Sequence, residues 1–467
     1  MVESPEIKAA ERSTRTGQMA LLPLLAVLVG TLLSGCSGVV LDSEFSARKK
    51  FTDVSQAYRP SGEKPPLPNL RVDSTLEELL TFGILNDPAV EAAYYDWQAS
   101  VAHITTARSL PDPKLTFEAD IADTVMSLMA GFMFDLPGPG KRSAMGEMAS
   151  AESQGKFYAF KRSVLSTAAA IKNAYYSLQA LEDSIVVNNR GLELLRDLED
   201  IARAQHETGK VTLQDVLRAE IEREKLLTET QNLADSRVAV HAALRGALGI
   251  DPRLEVPIPT VFTNSTDEIA HEEILARAFE YNPLLKQMHA EIGKADNALR
   301  LARLSVVPDI GMELDIDTKA SPVMFNPQLS ITLPIWRDKI AAQIGAAQSD
   351  SNAARARFSR EQINLAVDFA SMLYMYRESS RNLKLFSEKL LPKASRSVEV
   401  ARSGYIGGKS SFIDFLEAER TLLEFEFSRI ETRVLYERAI TNLSLVIGGQ
   451  VPSGASFIND KEESVKE

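Results

Sequence analysis

Leu115-Thr116-Phe117-Glu118-Ala119-Asp120-Ile121 carries an apolar side chain at every odd position and, Ala119 counted as apolar, a polar one at every even position. Successive side chains of an extended chain point to opposite faces, so a period of two predicts a strand with one apolar and one polar face. Phe132-Met133-Phe134-Asp135-Leu136 repeats the alternation and is stopped by Pro137-Gly138-Pro139-Gly140. Upstream, Val90, Tyr94, Trp97, Val101 and Ile104 recur at steps of three and four, the helical period. That helical region opens at a cap in Ser74-Thr75-Leu76-Glu77 and ends near Leu110, before Pro111 and Pro113. Downstream, residues 141–207 hold no proline, enough for a helix about 100 Å long at 1.5 Å per residue. A break at 206–211 leads into a further helix from Thr212 to about Gly249, with Thr212 and Asp215 at capping-box spacing.

The same order then returns. Asn282-Pro283 answers Asp87-Pro88 and Pro308 answers Pro113, each 195 residues on. Ile310, Met312, Leu314 and Ile316 alternate with Gly311, Glu313, Asp315 and Asp317; Leu329, Ile331 and Leu333 alternate with Ser330 and Thr332. Pro334 stands 197 residues after Pro137, and Gly209-Lys210, Asp215, Leu217 and Ala219-Glu220 return 199 residues later as Gly408-Lys409, Asp414, Leu416 and Ala418-Glu419. Matched punctuation at a nearly constant offset marks an internal duplication. Pro392 has no counterpart at 193, so the second long helix is expected to bend there.

Composition limits what such a chain does. Of 467 residues only 24 are Gly and 21 Pro, while 45% are apolar, which excludes collagen-like and disordered chains. A net charge of −12 argues against a polyanion partner, so no nucleic acid is expected. The histidines show no metal-ligand spacing, and neither a phosphate loop nor a zinc-protease motif is complete, so no enzyme activity, cofactor or metal site is expected. Cys36 is the only cysteine and follows Lys8, Arg12, Arg15 and an apolar run from Met19 to Leu33, the layout of a secretory signal. Leu33-Ser34-Gly35-Cys36 resembles a bacterial lipobox, which implies cleavage before Cys36, attachment of acyl chains such as palmitate there, and outer-membrane sorting because Ser37 replaces the retaining aspartate.

Four short strands approach the ~9–11 residues of a tilted membrane strand, but four cannot close a barrel, whose bacterial minimum is about eight. If they face lipid, several chains must share one barrel; otherwise they are two hairpins capping a soluble helical bundle. Leu416, Leu423, Phe427, Ile430 and Val434 form a coiled-coil-like stripe interrupted by Arg420, read here as core.

The lipobox, the duplicated order of elements and the paired motifs running from Gly209 to Glu220 and from Gly408 to Glu419 resemble the TolC family of outer-membrane efflux ducts. The resemblance covers about residues 74–449. It implies a mainly α fold with a transmembrane β part: a homotrimer whose twelve-stranded β-barrel continues as an α-helical periplasmic barrel. It further implies a passive channel fed by a periplasmic adaptor and an inner-membrane transporter. Residues 1–35 are then a lipoprotein signal peptide, 36–73 an acylated N-terminus and extended tether, 74–250 and 271–449 the two repeats, 251–270 a proline-containing connector and 450–467 a polar tail. Adaptor docking falls at the tips, Gly209, Lys210, Thr212, Gly408, Lys409 and Ser411, although a turn and cap explains these residue types equally well. Entrance gating falls to Asp215, Tyr405, Asp414 and Glu417, with a Tyr405 to Asp215 hydrogen bond as latch and Asp414 alternatively a plain cap. Glu118, Asp120, Asp135, Glu313, Asp315 and Asp317 would line a cation-favouring lumen or stand as solvated loop charges. Leu136-Pro137-Gly138-Pro139-Gly140-Lys141-Arg142 resembles a stretch of ducts that serve heavy-metal pumps of the resistance-nodulation-division class, making metal cations or small toxic compounds the expected cargo. The rival expectation is a lipid-anchored coiled-coil scaffold or adhesin without a pore.

Overall fold

A computed structural model of the chain describes residues 41–121, 125–251, 253, 274–317, 320, 322–448 and 458. The signal, Cys36, most of the connector and most of the tail lie outside the described residues.

In chain order the helices and strands are α1 (Asp42–Tyr58), α2 (Leu76–Asn86), α3 (Pro88–Arg108), β1 (Lys114–Ile121), β2 (Val125–Leu136), α4 (Lys141–Glu207) and α5 (Leu213–Ala247). The second half gives α6 (Ile274–Tyr281), α7 (Pro283–Arg303), β3 (Ile310–Asp317), β4 (Met324–Ile331), α8 (Arg337–Lys384), α9 (Leu391–Ile406) and α10 (Phe412–Val446). The chain divides into two compact units. One contains the antiparallel sheet, in order β1-β2-β3-β4, with the adjoining ends of its helices. The other is helical.

The duplication is visible element by element: α3 and α7 are displaced by 195 residues and α5 and α10 by 199. The hairpins correct one sequence match. Lys114↔Met133, Thr116↔Gly131 and Glu118↔Met129 in the first become Gly311↔Ser330, Glu313↔Gln328 and Asp315↔Asn326 in the second, an offset of 197 on both strands. Pro308-Asp309 therefore corresponds to Pro111-Asp112, not to Pro113-Lys114.

Three further expectations change. Residues 42–58 of the expected extended tether form α1. It is attached by buried apolar side chains, Val54 and Tyr58, and by a buried charge: the Glu44 carboxylate accepts from Arg48 Nε (2.9 Å), the Thr105 hydroxyl (3.1 Å) and Arg108. Burial opposes that charge, but the bonds from Arg108, Arg48 and Thr105 outweigh it and hold the carboxyl below its ordinary range. The cap of α2 sits one residue later than read, with Thr75 and Glu78 forming a capping box. Near Pro392 the irregularity lies just before the proline: the helix continues through a π-helical turn, Leu385–Leu390, between α8 and α9, a feature at which long helices kink. Pro392 then falls at the second residue of α9, directly after that turn.

Candidate functional site

The sheet has two chemically opposite faces. Opposed residues of an antiparallel pair share a face, so the register places Leu115, Phe117, Ala119, Ala130, Phe132, Phe134, Met312, Leu314, Ile316, Phe325, Pro327, Leu329 and Ile331 together. Much of this apolar face is open, Phe117 being 72% and Leu329 67% exposed. The other face collects Lys114, Thr116, Glu118, Asp135, Glu313, Asp315, Asp317, Asn326, Gln328 and Ser330. Asp120 pairs with Ser127 in the register, and its side chain lies outside the described ones. Five of the six acids read from the sequence thus share one face.

Several of them are tied to neighbours. Lys114 pairs with Asp135 at 2.9 Å, the Thr116 hydroxyl donates to Glu313 at 3.0 Å, and Gln328 donates to the buried Asp315 at 2.7 Å. Gly131 leaves the room these groups occupy, since a Cβ there would stand 1.9 Å from Asp315 Oδ1 and 2.3 Å from Thr116 Oγ1. The sequence reading missed the first half of β2, where Met129 stands opposite Glu118 on the polar face and Gly131 carries no side chain.

The Pro137–Arg142 stretch proves to be a structural clip. Asp309 accepts from Lys141 Nζ and from the Gly138 N–H, both at 2.7 Å, while Arg142 donates to the Arg108 carbonyl at 2.8 Å. Burial works to raise the Asp309 carboxyl, but those two donors outweigh it and hold it below the usual range. A Cβ on Gly138 would meet the Pro308 carbonyl at 2.5 Å. A cavity of about 430 Å³ opens beside the clip.

In the helical unit the two tips are built alike. Gly209 and Gly408 take the left-handed conformation, with φ of 70° and 73°. Lys210 N–H reaches the Gln205 carbonyl (2.9 Å) and Lys409 N–H that of Gly404 (2.7 Å), closing Schellman-type turns. The returning helices are capped: Thr212 N–H and Oγ1 donate to Asp215 at 3.1 and 2.8 Å, and Ser411 N–H and Oγ donate to Asp414 at 3.0 and 2.7 Å. A core including Leu195, Leu198, Val216, Tyr405, Phe412 and Leu416 joins both hairpins behind the tips.

Of the gate residues, Asp414 does act as a cap, and Ser411 holds its carboxyl below the ordinary range. Glu417 pairs with Arg420 at 2.8 Å. The expected Tyr405 to Asp215 hydrogen bond is not formed. The Tyr405 ring packs against Phe412 and Phe415, and its hydroxyl is buried with no hydrogen-bond partner among the described residues. Asp215 is turned to its own cap instead. Burial, followed by the Asp215 charge, pushes the Tyr405 hydroxyl up.

Glu419 was not singled out from the sequence. It is buried, 2% exposed, whereas its counterpart Glu220 reaches Arg203 at 3.1 Å. Burial raises its carboxyl, against Arg402 and Arg190. A raised folded value favours the fold at pH below the unfolded value, ~4.3, and that contribution is lost as pH rises through the folded value. Glu419→Gln is therefore expected to raise the melting temperature at pH 7 and to reduce the gain that the parent shows on acidification to pH 5. Thermal melts at the two pH values check this.

Among the described residues, no group of three or more His, Cys, Asp or Glu side chains could hold a metal ion. None of the described helices is long and apolar enough to cross a membrane.

The family model of outer membrane efflux proteins matches residues 83–250 and 274–449. Over 391 residues the chain is 22% identical to the cobalt-zinc-cadmium resistance protein CzcC of Cupriavidus metallidurans, covering 80% of this chain and 90% of that protein. In fold it is similar to the outer membrane protein VceC of Vibrio cholerae, with a TM-score of 0.68 at 17% identity over 80% of this chain and 96% of that one. The outer membrane channel MtrE of Neisseria gonorrhoeae, crystallised in an open state, gives a TM-score of 0.70 at 16% identity over 84% and 95%.

Proposed function

The chain belongs to the outer membrane efflux protein family, and from that membership we propose that three copies form one duct, each giving β1–β4 to a twelve-stranded barrel and its helices to a periplasmic tunnel. The two-faced sheet carries this reading. Its exposed apolar face suits lipid and its acid-rich face suits a water-filled lumen, the division required of a transmembrane barrel. A coiled-coil scaffold or adhesin gives no reason for so much exposed apolar strand.

In this reading substrate passes without chemical change. An inner-membrane transporter of the resistance-nodulation-division class and a periplasmic adaptor deliver it, and the adaptor docks at Gly209, Lys210, Thr212, Gly408, Lys409 and Ser411. Asp215, Tyr405, Asp414 and Glu417 serve the entrance, with Tyr405 acting through packing. Acyl chains on Cys36 anchor the chain to the outer membrane. Divalent metal cations are the proposed cargo. Resemblance to CzcC supports this, as does a lumen face whose acids, repeated by three copies, attract cations.

Deleting the gene tests the cargo. Growth should become sensitive to cobalt, zinc or cadmium, with at least a fourfold lower inhibitory concentration, while dyes and antibiotics have little effect. Sensitisation to dyes and antibiotics alone would replace metal by organic cargo.

A further inference from the structure

The two turns that lead from the sheet into a long helix have diverged. At the offset of 197 that relates the hairpins, Leu333-Pro334-Ile335-Trp336-Arg337 stands where the first repeat has Leu136-Pro137-Gly138-Pro139-Gly140. The first turn is built of small residues and is drawn in by Asp309. The second is closed by its own backbone, the Ile335 N–H donating to the Leu333 carbonyl and the Arg337 N–H to that of Ile335, both at 2.9 Å. Glycine and proline thus suffice for such a turn, yet the second copy leaves Ile335 and Trp336 in solvent, 64% and 71% exposed. Adjoining large apolar side chains that the fold does not cover mark a contact outside the chain.

We propose that this turn docks on the inner leaflet of the outer membrane, with Ile335 and Trp336 in the headgroup layer and Arg337 and Lys339 on the phosphates of anionic phospholipids. This deepens the reading of β1–β4 as part of a membrane barrel and rests on it. The turn directly follows β4, and Leu333 and Ile335 keep the odd-numbered apolar register of Phe325, Leu329 and Ile331. From Phe325 to Ile331 the strand covers about 15 Å of bilayer, at ~3.3 Å per residue and a tilt of roughly 40°, against an apolar band of about 25 Å. β4 alone falls short of that band, and Leu333 and Ile335 carry its apolar face further, towards the boundary. An indole suits the boundary itself, because its ring is apolar while its N–H needs a polar partner.

Charge points to the same partner. Arg337 and Lys339 are the first and third residues of α8, and both are exposed. Cations in the first turn of a helix oppose its dipole, whereas an acid such as Asp338 between them suits it. α8 itself therefore gains nothing from the two basic side chains. In a chain of net charge −12, a basic pair beside an exposed tryptophan is complementary to an anionic lipid surface.

The chain has two tryptophans, and Trp97 is only 1% exposed, so quenchers carried by lipid read Trp336. The full-length protein is reconstituted into vesicles of phosphatidylcholine and phosphatidylglycerol whose chains are brominated either next to the headgroup or near the tail end. The shallow label should quench about twofold more than the deep one, and Trp336→Phe, at a position too exposed to matter to the fold, should remove the quenching. A protein that floats with the vesicles but is quenched by neither label overturns the inference and gives Trp336 to a second copy or another protein. Stronger quenching by the deep label overturns the headgroup placement. Protein that does not enter the vesicles overturns the membrane-barrel reading instead. For the basic pair, the parent trimer should dissociate several degrees higher in vesicles containing phosphatidylglycerol than in phosphatidylcholine alone, and Arg337→Gln with Lys339→Gln should abolish that difference. Equal temperatures for the parent in both lipids, or a difference that the double variant keeps, overturns the anionic contact.

Discussion

Phe117→Arg combined with Leu329→Arg is expected to remove the protein from the outer membrane, leaving no SDS-resistant, heat-modifiable trimer. Both side chains are mid-strand on the apolar face and already exposed in the single chain. In water, arginine at such positions costs little and adds solubility. In a bilayer each costs about 2–4 kcal/mol at the midplane, so three copies of one substitution add roughly 6–12 kcal/mol per trimer, comparable with the whole stability of a domain, ~5–15 kcal/mol. The two environments thus give opposite results. Glu118→Arg on the polar face is the control, since a lumen substitution should leave the trimer intact and reduce cation preference in planar bilayers. A doubly substituted protein that stays at wild-type levels in its trimer would mean that this face never meets lipid, and the scaffold reading would then stand.

The strand alternation was legible at Leu115–Ile121 and Ile310–Asp317 because neither strand breaks its period, and both bounds agree with the structure to within a residue. Beyond the motifs that end in prolines, legibility fell where the determining contact is not local. Glu44 is an acid in a polar stretch, and only the fold brings Arg108 and Thr105 to it, so α1 resembled a tether. β4 was read two residues too far along because Leu333 continues the apolar alternation past Ile331, where the strand ends. The tips were legible in full, since a glycine turn and a Thr or Ser cap are local chemistry. Whether Tyr405 bonds Asp215 was not, because it depends on how four helix ends pack. The clip between Lys141 and Asp309 was hidden for a related reason: the stretch around Lys141 was noticed for its resemblance, while Asp309 lies 168 residues away.

The duplicated glycines allow folding to be separated from docking. Four of them have positive φ: Gly209 and Gly408 at the tips, Gly249 and Gly448 where the returning helices end. All four pay a side chain's left-handed strain when substituted, ~1–2 kcal/mol, but only the second pair is also crowded. A Cβ on Gly448 would lie 2.5 Å from the Tyr281 carbonyl oxygen, and one on Gly249 2.9 Å from Asp87 Cα, both backbone atoms that cannot swing aside. Nearby, Asn282 donates to the Val446 carbonyl and Asn86 to the carbonyls of Leu248 and Gly249, fixing the same junction in both repeats. Gly448→Val, with a β-branched residue where φ is 86°, is therefore expected to cost more than about 3 kcal/mol and to deplete the folded protein severalfold. Gly408→Asn meets open space, and asparagine tolerates the left-handed cap, so the protein should keep its trimer and melting temperature. If the tips dock an adaptor, that stable variant should still lose efflux, measured as metal sensitivity at unchanged protein level. Loss of efflux confined to Gly448→Val would leave the tips as turns and caps only, and docking would have to be sought elsewhere on the helical unit.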